Sequence, residues 1–105
     1  MTLETEIKWF LEMIAEDNRL GPPHISLFVA IMGEWSKNNC PNPLIILANN
    51  LMFLSKISCR TTYYRCLKEL HQYGYIKYKP SHNSLKGSFI YLVNAESNNC
   101  EYKDL

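Results

Sequence analysis

The chain has 105 residues, 47% of them hydrophobic and 20% charged, with eleven Lys or Arg against ten Asp or Glu and a net charge of +1. That length holds one hydrophobic core and is too short for two. The apolar fraction and near-zero net charge exclude a disordered chain, which needs low hydrophobicity and high net charge.

Several function classes fall away next. No apolar run approaches the roughly 18 residues of a membrane span, and Glu4 and Glu6 stand where a secretory signal would be basic. A cytoplasmic protein is the expectation. The four cysteines, at 40, 59, 66 and 100, form no Cys-x-x-Cys pair, so reduced thiols and no zinc site are expected. Cys59 and Cys66 lie about 10 Å apart along a helix, too far for one ion. His24, His71 and His82 are not at ligand spacing, and no Gly-rich phosphate loop, paired carboxylate or Ser-His-Asp order stands out. Neither a cofactor, a small-molecule substrate nor catalysis is expected.

In chain order, Leu3, Ile7, Phe10, Leu11 and Ile14 recur at three and four residues, which predicts an amphipathic helix over 3–17 with Glu4, Glu6, Glu12 and Glu16 off its apolar face. Trp9 and Met13 widen that face beyond what one neighbour requires and are candidate contacts to a second subunit. Gly21-Pro22-Pro23 breaks the chain and starts another helix, since proline is tolerated in a first turn. From His24 to about Asn38 that helix is apolar almost all round, so it belongs at the centre. A proline-containing loop follows, then Leu44-Ile45-Ile46 as a short strand.

A third helix is predicted over Ala48 to Ser55, with Leu51, Met52 and Leu54 inward. A fourth opens at Ser58 or Cys59 and runs to about Tyr73, ended by Gly74. Its core positions are Tyr63, Cys66, Leu67 and Leu70; Arg60, Thr61, Tyr64, Arg65 and Lys68 fall opposite. Residues 75–79 and 88–93, rich in β-branched and aromatic side chains, read as a hairpin around a long loop. The tail from Asn94 has no periodicity and is expected to be poorly ordered.

Charge is unevenly placed. Residues 1–55 carry a net −3, residues 56–92 a net +6 and residues 93–105 a net −2. The basic side chains Lys56, Arg60, Arg65, Lys68, Lys77, Lys79 and Lys86 meet only Glu69 in their segment. This asymmetry points to a polyanion, and Arg60, Thr61, Thr62, Tyr64 and Arg65 are types that contact phosphates or base edges.

The run from Ser58 through Arg60-Thr61-Thr62-Tyr63-Tyr64-Arg65-Cys66-Leu67-Lys68-Glu69-Leu70 to Gly74-Tyr75-Ile76, preceded by a helix and followed by a basic hairpin, resembles winged helix-turn-helix DNA-binding domains. It is most like GntR-type and replication-initiator wings and small bacterial regulators of mobile elements. The resemblance implies an α+β, mostly helical fold: a three-helix core plus β-hairpin wing over 21–93, an extra N-terminal helix over 1–20 and a flexible tail over 94–105. It implies double-stranded DNA as partner, for transcription regulation or a replication or mobile-element accessory role, without catalysis. Arg60, Thr61 and Tyr64 would face bases, and Thr62, Arg65 and Lys68 the backbone. Lys79, His82, Asn83 and Lys86 of the wing would approach a flanking groove. Cys59 stands where the family often has Ser, which weakens the helix cap. In the third helix Leu47, Phe53 and Asn49-Asn50 replace a charged face, and an exposed Phe53 suits a protein contact. The competing expectation is therefore a protein-interaction module of the same fold. A homodimer through residues 3–17 would suit palindromic sites.

Overall fold

The computed structural model describes residues 3–80 and 87–93. Among these, four helices and three strands follow in the order α1 (Leu3–Glu16), α2 (Pro22–Lys37), β1 (Leu44–Ile46), α3 (Ala48–Ser55), α4 (Arg60–Gln72), β2 (Ile76–Lys79) and β3 (Ser88–Leu92). The protein is α+β and mostly helical, with one antiparallel sheet ordered β1-β3-β2. The expected tail beyond Asn94 and the loop residues His82, Asn83 and Lys86 lie outside the described residues.

Local signals explain the boundaries. Gly21 caps α2 in an extended conformation with Pro22 and Pro23 in the first turn, and the Gly21 N–H donates to His24 Nδ1 at 2.9 Å. Lys56 takes the left-handed conformation that ends α3. Gly74 does the same after α4, at φ +90°, and the Tyr75 N–H reaches back to the Leu70 carbonyl at 3.0 Å.

The helix expected at the centre is there. Leu27, Phe28, Ile31, Met32 and Trp35 of α2 are buried, and α2 lies against α1, α3 and α4. The inner sheet face adds Leu44, Ile46, Ile76, Ile90 and Leu92 to the same core. Across the sheet, Leu44 pairs with Ile90 and Ile76 with Leu92.

α1 keeps Leu3, Phe10 and Ile14 of the predicted face against the core but is rotated so that Ile7 and Leu11 leave it. Phe10 is 1% exposed and Glu6 is fully buried, whereas Leu11 is 58% exposed and Ile7 is exposed as well. Trp9 and Met13, read as contacts to a second subunit, lie half-buried against the chain's own core. Trp9 approaches Phe28 and Tyr75, and Phe10 stacks on Phe28 at 4.0 Å. Aromatic rings bury the largest area per residue and gain from each other's geometry, so the Trp9-Phe10 pair sets the rotation and the aliphatic stripe yields. α1 therefore belongs to the core of the main domain. In α3, Leu51 is buried and Met52 half-buried as expected, but Leu54 is exposed. A two-turn helix presents one narrow stripe to α2, and Ser55 rather than Leu54 occupies it.

Asp17 closes the α1–α2 connection onto the start of β2. Its carboxylate accepts from Arg19 Nε (2.9 Å), Arg19 Nη2 (2.8 Å) and the Tyr75 hydroxyl (2.6 Å), while the guanidinium lies 4.2 Å over the Tyr73 ring. These bonds, Arg19's first and Tyr75's second, hold the Asp17 carboxyl well below the usual carboxylate range. Burial and the Asp17 bond push Tyr75 up to about 12. A carboxyl with a lowered folded pKa stabilises the fold above its unfolded value and loses that effect as pH falls through the folded one. Asp17→Asn should thus lower the urea midpoint near pH 7, with the deficit from the native chain shrinking progressively below about pH 4. A deficit independent of pH would show that the charge is not what matters.

Candidate nucleic-acid interface

α3 and α4 are joined by a tight four-residue turn, Lys56 to Cys59. Tyr63, Cys66, Leu67 and Leu70 of α4 face the core, as their spacing predicted. Arg60, Thr61, Tyr64, Arg65 and Lys68 are all exposed and Thr62 is half-buried. At 3.6 residues per turn, the five exposed positions fall within an arc of about 140° and span about 12 Å of helix. Cys59 is the cap residue, without a side-chain cap bond. Its thiol sits by the Thr62 and Thr61 N–H groups, which pull its pKa down from the ordinary value.

Within this face the side chains differ in freedom. Arg60 is held across to α3: its Nη2 donates to Asn49 Oδ1 at 2.6 Å. Asn49 is neutral, so this bond leaves the guanidinium charge in place, and no described residue forms an ion pair with it. Tyr64 stands edge-on to Tyr63, with centroids 4.9 Å apart. Arg65 Nε lies 3.8 Å from Glu69 Oε1, one turn on. Lys68 makes no ion pair with any described residue. Beside the start of α4 opens a cleft of about 790 Å³, lined by Asn49, Asn50, Arg60 and Tyr64 on the helices and by Tyr78, Pro80, Gly87 and Ser88 on the hairpin. At Gly87, φ is +79° and a Cβ would collide with the Ile46 carbonyl, so only glycine brings β3 this close to β1. Lys79 belongs to the hairpin's other strand, where its Nζ lies 5.4 Å from the Tyr91 ring centroid.

Phe53 is 69% exposed, as read from the sequence, and Lys56 Nζ lies 4.5 Å over its ring. Leu3, Ile7, Leu11 and Ile14 of α1 meet Ile25, Val29 and Met32 of α2 around a groove of about 350 Å³.

One cluster had no sequence signal. His24, Cys66 and Glu69 bring ligand-type atoms within 4.8 Å of one another, from two helices far apart in the chain. The hydrogen bonds decide its chemistry. His24 Nδ1 accepts the Gly21 N–H, so the ring proton sits on Nε2 and is donated to Glu69 Oε1 at 2.7 Å. A metal on Nε2 would require the opposite tautomer and would set two N–H groups against each other at Gly21. The cluster is a bolt between α2 and α4. His71 is likewise structural: its Nδ1 accepts the Tyr78 N–H at 3.0 Å and ties α4 to β2. Cys40, Cys59 and Cys66 are free thiols, and no helix among the described residues is long and apolar enough to cross a membrane.

The chain matches no protein-family model, no curated protein and no solved structure.

Proposed function

We propose that this is a winged helix domain that binds double-stranded DNA without catalysis, in transcriptional control or as an accessory to replication or mobile-element transfer. The observation that carries the reading is the outward face of α4, where Arg60, Thr61, Tyr64, Arg65 and Lys68 share one exposed arc. A helix with its side chains is about 10–12 Å across, close to the roughly 12 Å width of the major groove. Inserted there, α4 brings Thr61 and Tyr64 to the base edges, while Arg65, Lys68 and Thr62 reach the backbone. Because Arg60 is drawn toward Asn49, its charge meets a phosphate at the cleft, and the hairpin with Lys79 follows the adjacent backbone. A symmetric dimer through the exposed Ile7 and Leu11 of α1 belongs to the same proposal, and light scattering at micromolar concentration checks it.

The test is duplex binding by Arg60→Ala, Arg65→Ala and Lys68→Ala chains. Each is expected to weaken binding uniformly across sequences, as the loss of a phosphate contact does. The competing reading is a protein-interaction module, favoured by the exposed Phe53 and Leu54 on α3. Unchanged duplex binding in all three variants would assign the protein to it.

A further inference from the structure

The groove between α1 and α2 is walled by exposed aliphatic side chains, Ile7 and Leu11 on one helix and Val29 on the other, with Gly33 one turn beyond Val29. No neighbour within the chain requires that glycine. Glycine inside a helix destabilises it relative to alanine, yet a Cβ at Gly33 would meet nothing within 4 Å. The missing side chain instead lets a second backbone come close to α2. Beside Ile7 and Leu11, the exposed residues Glu4, Lys8 and Glu12 stand in a row, one turn apart. None of the three makes an ion pair with any described residue. Met1 and Thr2, outside the described residues, adjoin Leu3, which lies about 12 Å along the helix from Leu11.

We infer that this groove takes α1 of a second copy running antiparallel, with Lys8 of each copy against Glu12 of the other and the two Leu11 side chains meeting between them. Charge complementarity selects both the occupant and its direction. The row carries one cation between two anions, so it complements itself only when reversed. Two α1 helices laid side by side in the same direction would set every charge against its like. Turned end for end about a twofold axis beside residue 10, they form the Lys8–Glu12 contact twice. The same axis passes within about 1.5 Å, along the helix, of Leu11, so the two exposed leucines are brought together by the register that pairs the charges. A purely acidic or purely basic partner would match one sign of the row and oppose the other. This geometry gives a face and a direction to the dimer in the proposed function, and it rests on that association and not on duplex binding.

Sedimentation velocity of the full chain without DNA, across micromolar to millimolar concentrations, tests the contact. Lys8→Glu alone and Glu12→Lys alone each create two like-charge contacts, and each is expected to weaken association by about 5- to 30-fold. The doubly reversed chain, Lys8→Glu with Glu12→Lys, should return to within about threefold of the native constant, because only a reciprocal antiparallel pairing restores both contacts. Gly33→Leu should weaken association by about 5- to 150-fold. Its urea midpoint in dilute solution should be unchanged or raised, since leucine is the better helix former and its Cβ has room. A native chain that stays monomeric throughout overturns the inference and leaves the duplex proposal standing. Association that ignores the single reversals, or that the double reversal fails to restore, also overturns it. Association that follows this pattern in a chain without duplex affinity upholds the inference and ends the DNA reading instead.

Discussion

Affinity for duplex DNA is expected to fall about 500- to 2,000-fold between roughly 50 and 200 mM salt. Each phosphate neutralised by a Lys or Arg contributes about −0.9 to the slope of log affinity against log salt, and five or six such groups give about −4.5 to −5.5. Arg60, Arg65, Lys68, Lys79 and Lys86 supply five. They are not equivalent. Glu69, 3.8 Å from Arg65, offsets part of that charge before DNA arrives, whereas Lys68 has no such partner among the described residues. Removing Lys68 should therefore flatten the slope more than removing Arg65. Fluorescence anisotropy across a salt series measures both, and a native slope near zero ends the DNA reading.

The second large effect is on stability. Phe10→Ala is expected to cost about 3–5 kcal/mol, because the ring is buried against Phe28 and Tyr75. Leu11→Ala, one residue on, should change the stability of the monomer by no more than about 0.5 kcal/mol, because that side chain is 58% exposed. Urea unfolding of the two variants reads the rotation of α1 directly. The reverse ranking would restore the aliphatic stripe as the inner face and expose Glu6.

That rotation marks where the sequence stops being legible. Periodicity counts apolar positions, and on α1 it gave Leu3, Ile7, Phe10, Leu11 and Ile14 as the inner face and left Trp9 and Met13 for a second subunit, with nothing to show that the Trp9 side of Phe10 and not the Leu11 side turns inward. That choice came from Phe28 and Tyr75, far along the chain. On α4 a single apolar row leaves no choice, so its inward and outward residues read correctly from spacing alone. The break at Gly21-Pro22 and the turn at Gly74 were legible because they depend on the backbone freedom of single residues. The Arg60–Asn49 bond and the His24–Glu69 bolt were not, since each joins groups on two helices whose relation only tertiary packing sets. Charge placement was legible in one dimension, and the fold gathers much of it onto the α4 arc and the hairpin.

The strand order β1-β3-β2 also bears on how the chain is made. β1 has β3 as its neighbour in the described sheet, and roughly 40 residues separate the two in the order of synthesis. At about 5–20 residues per second, Leu44-Ile45-Ile46 emerges some 2–8 s ahead of its pairing partner. Pro41 and Pro43, immediately ahead of it, lack the N–H groups that a stray strand would need to extend a pairing there. The same prolines that ended the α2 loop thus guard the nascent chain's most apolar strand until Ser88–Leu92 arrives to cover it.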